Sequence, residues 1–256
     1  MKERILKELT NIEKHNNVKI IWACESGSRA WGFESKDSDH DVRFIYCHDI
    51  NWYLSVEEQR DVIEQPIDKL LDINGWDIRK ALKLLRKSNP PLLEWLQSPI
   101  VYKNIKEYSK LLIKLIPGYY SSQNCYYHYL HMANGNFRDY LRGEEVWIKK
   151  YFYVLRPIFA CRWIEKINQP VPMEFEILLE KTLNDKILQK EIIKLLNRKK
   201  SGEELDYAQR IPAISDFIEN ELERLKNNKP AKSKLPGYSD LNEVFRKIIY
   251  NSHRTN

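Results

Sequence analysis

No apolar run in the 256-residue chain approaches the roughly 20 residues that a membrane helix needs, and no membrane partner is expected. The opening stretch, MKERILKELTNIEKHNN, is amphipathic and charged throughout. It lacks the apolar centre of a secretion signal. The four cysteines, Cys24, Cys47, Cys125 and Cys161, form no Cys-x-x-Cys pair, so neither a zinc site nor a disulfide framework is indicated. They read as buried thiols in a reducing compartment, and a cytoplasmic location is expected. Glycine is sparse, at 8 residues, and none falls into a dinucleotide-binding Gly-x-Gly-x-x-Gly, a P-loop or a nucleophile elbow. There is no internal repeat and no low-complexity tract.

What the chain does contain is a modest basic excess, +6 from 42 basic and 36 acidic residues. That balance is compatible with phosphate or nucleic-acid partners without requiring them. Apolar spacing predicts a helix over 2–15, then a buried strand, VKIIWAC (18–24). A second strand is DVRFIYC (41–47). RDVIEQ (60–65) and IDKLLDI (67–73) are read as two more, around Pro66. WDIRKALKLLRKS (76–88) is a helix that Asp77 is placed to cap. Beyond about residue 104, long helical patterns take over at 124–143, 145–167 and 175–200. A polar, breaker-rich stretch (226–240) and a last helix (241–253) follow. The expected fold is α+β: a small mixed sheet with helices over residues 1–103, then an all-α domain over 104–256.

One stretch stands out: SGSRAWGFESKDSDHDVRFIY, between and into the first two strands. Strand side chains alternate faces, so Asp39 and Asp41 point the same way, with Cα atoms roughly 6–7 Å apart. Two such carboxylates repel unless a cation sits between them, and hard divalent ions take carboxylate oxygens. A third acid from a neighbouring strand would complete a site for two metals, which clamp the attacking and leaving oxygens of a phosphoryl displacement. Gly27 allows the backbone to approach an anion closely. Ser28 with nearby N–H groups is placed to hold phosphate, and Arg29 adds charge. The plainer reading of DSDHD alone is a solvated turn, and Asp37 is read as a turn residue. Arg43 is expected on the opposite face from Asp41, in an internal salt bridge. Arg79 and Lys80, in the first turn of a helix, sit against the dipole and point to an anionic neighbour.

With Gly27-Ser28, a spacer of about ten residues, and Asp39-His40-Asp41 entering a strand, the chain resembles the DNA polymerase β-type nucleotidyltransferase superfamily. The wider wording, with GWDIRKALKLLRKSNPPLLEWLQSPIVY and KKYFYVLRPIFACRWIE downstream, is similar to the predicted nucleotidyltransferases of the YcgL-like group, related to RNA-repair-pathway proteins. The resemblance implies transfer of a nucleoside monophosphate from a nucleoside triphosphate to a hydroxyl, with release of pyrophosphate. It implies two Mg²⁺ ions, or Mn²⁺, on Asp39 and Asp41, and a third carboxylate on an adjacent strand. Asp72 is favoured for that position, with Asp77 the alternative and Asp68 a weaker choice. A lysine of the helical part is expected at the triphosphate. Lys150 is chosen, with Arg156 on the same helix. The acceptor stays open between an RNA end and a protein or small molecule, and a nucleotide-binding regulator without turnover is a third reading.

Overall fold

The computed structural model describes every residue except Asp37, Pro66, Ile67, Lys69, Glu204, Lys229, 231–233 and 253–256. The chain divides into two compact units. The first holds Met1–Ala30, Asp39–Tyr120 and Leu235–Asn256; the second holds Trp31–Ser38 and Ser121–Lys234.

The first unit is built on α1 (Lys2–Asn16), β1 (Lys19–Glu25), the short α2 (Gly27–Ala30), β2 (His40–Cys47), α3 (Ile50–Tyr53), β3 (Val62–Glu64), β4 (Leu71–Asp77), α4 (Ile78–Arg86), α5 (Pro90–Trp95), β5 (Val101–Asn104) and α6 (Lys106–Tyr119). Its five-stranded sheet has the order β3-β4-β2-β1-β5. Only β2 and β4 run parallel, in the register Asp41↔Asp72 and Tyr46↔Asp77. Ile5, Leu9 and Ile12, at helical spacing on α1, pack on Ile20, Val42, Phe44, Tyr46, Leu71 and Ile73. A Cβ at Gly75 would stand 2.2 Å from the Phe44 ring, so only glycine lets the ring lie flat across β4. The opposite face of β2 and β4 carries Asp41, Arg43, Asp72 and Asn74, since alternate residues share a face.

Two sequence expectations shift here. The strand read over 67–73 begins later, because Asp68 Oδ1 accepts the N–H groups of Leu70 (2.8 Å) and Leu71 (3.0 Å) and makes a turn before the strand. Residues 66, 67 and 69 of that stretch lie outside the described residues. The break expected at residue 103 is not where the units divide. β5 pairs with β1 through Trp22↔Asn104, and the N–H of Ile105 bonds Ile21 O at 2.9 Å, so the sheet carries the chain on into α6. The last helix, Ser239–Ser252, also belongs to the first unit. Ser252 O accepts from Lys19 Nζ at 2.9 Å. Parts of the breaker-rich 226–240 stretch and residue 253 lie outside the described residues.

The second unit contains α7 (Ser122–Tyr140), β6 (Glu145–Trp147), a 3₁₀ turn at Ile148–Lys150, α8 (Tyr151–Ile167), α9 (Phe175–Thr182), α10 (Lys186–Lys200), β7 (Tyr207–Gln209) and α11 (Pro212–Asn227). It is helical apart from the antiparallel ribbon β6–β7. That ribbon explains why the helix expected from residue 145 starts only at Tyr151: residues 145–147 are committed to Tyr207–Gln209. The pattern over 175–200 is two helices, divided where Asp185 caps the N–H groups of Ile187 and Leu188. The segment Trp31–Ser38 is held in this unit by the Phe175 N–H on Trp31 O (2.9 Å) and by Phe33 packed against Phe152 and Phe175. No helix among the described residues is long and apolar enough to cross a membrane.

Candidate active site

The Gly27 turn and the first half of β2 meet through Asp41. The Ser26 N–H bonds the Asp41 carbonyl at 2.8 Å. Gly27 has φ +58°, a left-handed conformation that favours glycine. Space imposes the same choice: a Cβ at residue 27 would lie 1.9 Å from Asp41 Oδ2. The glycine is therefore absent of side chain so that a carboxylate oxygen can occupy that volume. Ser28, next in the turn, is buried at 7% exposure. Arg29 Nε donates to the Asp39 carbonyl at 3.0 Å and ties the turn to the residue that enters β2. Asp39 is exposed.

The other oxygen of Asp41 is engaged by Arg43. The guanidinium Nη2 donates to Asp41 Oδ1 at 2.9 Å and to Asp72 Oδ2 at 2.8 Å. Its Nη1 donates to the backbone carbonyls of Val42 (3.1 Å) and Asp72 (3.2 Å). This corrects the expectation that Arg43 faces away from Asp41. Positions two apart on a strand share a face, and the parallel register brings Asp72 onto it. Carboxylates on adjacent strands, about 5 Å apart, repel by about 3 kcal/mol at an effective dielectric of 20; a guanidinium bonded to both reverses the sign. Asp41 is still held above the usual carboxylate range. Burial raises it most, Arg43 opposes, and Asp39, Asp72 and Glu25 add to the rise.

Behind the strand, on the α1 side, lies a group that the sequence reading did not single out. Glu25, fully buried at the end of β1, accepts the backbone N–H of Asp41 at 2.6 Å through Oε1. Its Oε2 meets His40 Nδ1 at 2.8 Å and accepts the Tyr102 hydroxyl. His40 thus points away from the acid face, as alternation requires. The available signal was an acid closing an otherwise apolar strand, KIIWACE.

The structure separates the remaining candidates. Asp77 ends β4 five residues beyond Asp72, about 16 Å along the strand at 3.3 Å per residue, and on the other face. It is fully buried, accepts from Tyr53 Oη (2.6 Å) and caps α4 through the Arg79 N–H (2.7 Å). Asp68 is a turn residue paired with Arg4 at the surface. Lys80 finds its anion in Asp61 at 2.9 Å, and Arg79 lies over the Tyr53 ring at 4.8 Å. Asp37 lies outside the described residues. In the second unit Arg156, expected at the nucleotide, is 1% exposed, stacked on Trp31 at 4.6 Å and bonded to the Met173 carbonyl at 3.3 Å. It is an interior residue because α8 is buried all round from Val154 to Cys161, and its neighbours one turn away, Phe152, Phe159 and Ala160, are buried with it. Lys150 stands in the 3₁₀ turn and not on a helix, its Nζ over Tyr140 (4.3 Å), Tyr153 (4.7 Å) and Trp147 (5.0 Å). Burial and Lys149 lower its pKa.

A family model described as RNA repair pathway DNA polymerase beta family, RlaP, matches residues 1–247. The chain belongs to that family. It is 50% identical over 252 residues to "Uncharacterized protein YcgL" of Bacillus subtilis (strain 168), covering 98% of this chain and 96% of the relative. Among solved structures, a nucleotidyltransferase-like protein from Exiguobacterium sibiricum 255-15 matches with TM-score 0.35 and 14% identity, over 95% of this chain and 80% of that one. Membership rests on the family model and the relative alone.

Two side chains could hold a divalent cation. Asp41 Oδ2 stands free of Arg43 in the volume that Gly27 leaves open, and Asp39 is close enough for its charge to raise Asp41. Both offer hard oxygen donors. No group of three acidic, histidine or cysteine side chains is assembled as a metal cluster among the described residues.

Proposed function

We propose that the protein is a metal-dependent nucleotidyltransferase that moves a nucleoside monophosphate from a nucleoside triphosphate to an acceptor hydroxyl and releases pyrophosphate. The observation that carries this reading is the Asp41 carboxylate, wedged between a side-chain-free turn and a guanidinium, with Asp72 in register beside it. A divalent cation on Asp39 and Asp41 would neutralise triphosphate charge and acidify the acceptor hydroxyl. The Gly27-Ser28 turn would take the β- and γ-phosphates, with Arg29 beside it. The acceptor oxygen forms a bond to the α-phosphorus, the bond from that phosphorus to the β-bridging oxygen breaks, and its electrons leave with pyrophosphate. Asp72, whose Oδ1 lies outside the Arg43 contact, is the carboxylate we assign to the hydroxyl proton. Lys150 at the triphosphate is supported by the family resemblance only.

We take an RNA 3′ end as acceptor, supported by the family's description and by the basic balance of the chain. The test is incubation with each α-labelled nucleoside triphosphate, Mg²⁺ or Mn²⁺, and a short RNA. Label on the RNA with equimolar pyrophosphate, abolished by a chelator, is the expected result. Label on protein or a metabolite would move the acceptor and keep the chemistry. Nucleotide-dependent stabilisation without pyrophosphate under any condition would leave a binding protein and overturn the enzymatic reading.

A further inference from the structure

The cation that the paired acids require is already present in the chain. Arg43 donates from one nitrogen to Asp41 and Asp72, and from the other to two backbone carbonyls. Four acceptors leave this side chain little freedom, and it is 18% exposed. Its strand neighbours in register, Cys24 and Asn74, are uncharged. Nothing at those two positions competes for the guanidinium. A planar guanidinium suits two carboxylates on adjacent strands better than an ammonium, because its donors form a fixed fork. The same contacts withdraw Asp41 Oδ1 and Asp72 Oδ2 from any other cation and leave Asp41 Oδ2 against Gly27, with Asp39 near enough for its charge to act on Asp41.

We propose that Arg43 is a built-in second cation, so that this site takes one divalent ion with its nucleotide where the acid pattern alone leads to two. The proposal rests on the transferase reading above. Arg43 is here a positioning residue: it fixes Asp72 against Asp41 and supplies, permanently, the positive charge that a second ion would bring. Replacing it by a shorter neutral side chain would free two carboxylate oxygens and open a place for a second ion.

The experiment counts Mn²⁺ retained by the full chain in equilibrium dialysis, with protein in excess over an α,β-methylene nucleoside triphosphate, for wild type, Arg43→Lys, Arg43→Gln and Asp39→Ala. Expected are one Mn²⁺ per retained nucleotide in wild type and Arg43→Lys, two in Arg43→Gln, and loss of most retained ion in Asp39→Ala. Two ions in wild type, or one in a folded Arg43→Gln, would overturn the proposal and leave the transferase reading standing. Should Arg43→Gln fail to show a native melting transition, the wild-type and Arg43→Lys counts decide. Retention of neither nucleotide nor ion by wild type would fail the underlying reading itself. A purely structural Arg43 would change melting temperature without changing the count.

Discussion

The two ends of β4 carry the same side chain in opposite circumstances. Asp72 at one end is 29% exposed and shares a guanidinium with Asp41. Asp77 at the other end is sealed from solvent, bonded to Tyr53 Oη and to the first turn of α4. Burial pushes its carboxyl up to about 6. A carboxylate that must meet a cation stands at an open edge with its charge compensated. One that terminates a strand and starts a helix can be buried, at the cost of holding its proton more tightly. A cavity of ≈ 220 Å³ lies at the Asp77 end, between Trp52, Asp61 and Lys80; of its four acids, Asp77 is engaged by Tyr53 and Asp61 by Lys80.

The sharpest break of this comparison is catalytic. Asp41→Asn is expected to lower labelled-nucleotide transfer by about 10²–10³-fold, the usual loss when one charge-stabilising group is removed. Asp77→Asn should stay within about twofold. Equal losses in the two variants would erase the distinction. Next comes Gly27→Ala, which places a methyl group where Asp41 Oδ2 lies and a Cβ at φ +58°. It should destabilise the chain by about 1–3 kcal/mol in denaturant titrations and depress transfer together with stability.

The pH dependence tests the buried end. An unfolded Asp77 titrates near 3.8 and the folded one near 6. Between these values the folded chain keeps a proton that the unfolded chain has lost, so this group's contribution to stability falls as pH rises from about 4 and is flat above about 6. Its full size is about 2–3 kcal/mol. Measured as wild type minus Asp77→Asn in chemical denaturation from pH 4 to 7.5, the difference should shrink in that window; a pH-independent difference would mean that Asp77 is ionised throughout. Asp41, also raised, acts in the same direction in both chains. Smallest is Asp68→Ala. It breaks an exposed pair with Arg4 and a turn before β4, and should leave the denaturation midpoint and transfer close to those of the wild type.

Legibility followed the range of the interactions. Helix α1, strands β1 and β2, helix α4 and its Asp77 cap were readable because apolar spacing and capping are local signals. β5 was not: VYKN has little strand pattern, and it is a strand only because β1 offers an edge to pair with. The late start of β4 was missed because the Asp68 turn competes with an apolar run that reads as strand. The candidate site was half legible. Gly27, Asp39 and Asp41 were singled out from spacing and Asp72 was favoured over Asp77 and Asp68 on the family resemblance, whereas Glu25, Tyr102 and the bridging place of Arg43 depend on which strand lies beside which.

The order of residues alone determined that a glycine turn would precede an acid pair at the start of the second strand, since glycine's freedom and the run of apolar residues are local properties of the chain; Asp41 lies in that strand and Asp39 just before it. Only the tertiary structure decided which third acid joins them. Register between β2 and β4 brings Asp72 beside Asp41 and carries Asp77 to the far end and the other face. It decided as well that Arg156 lies inside its unit, because burial depends on what packs over a helix face and not on the face itself.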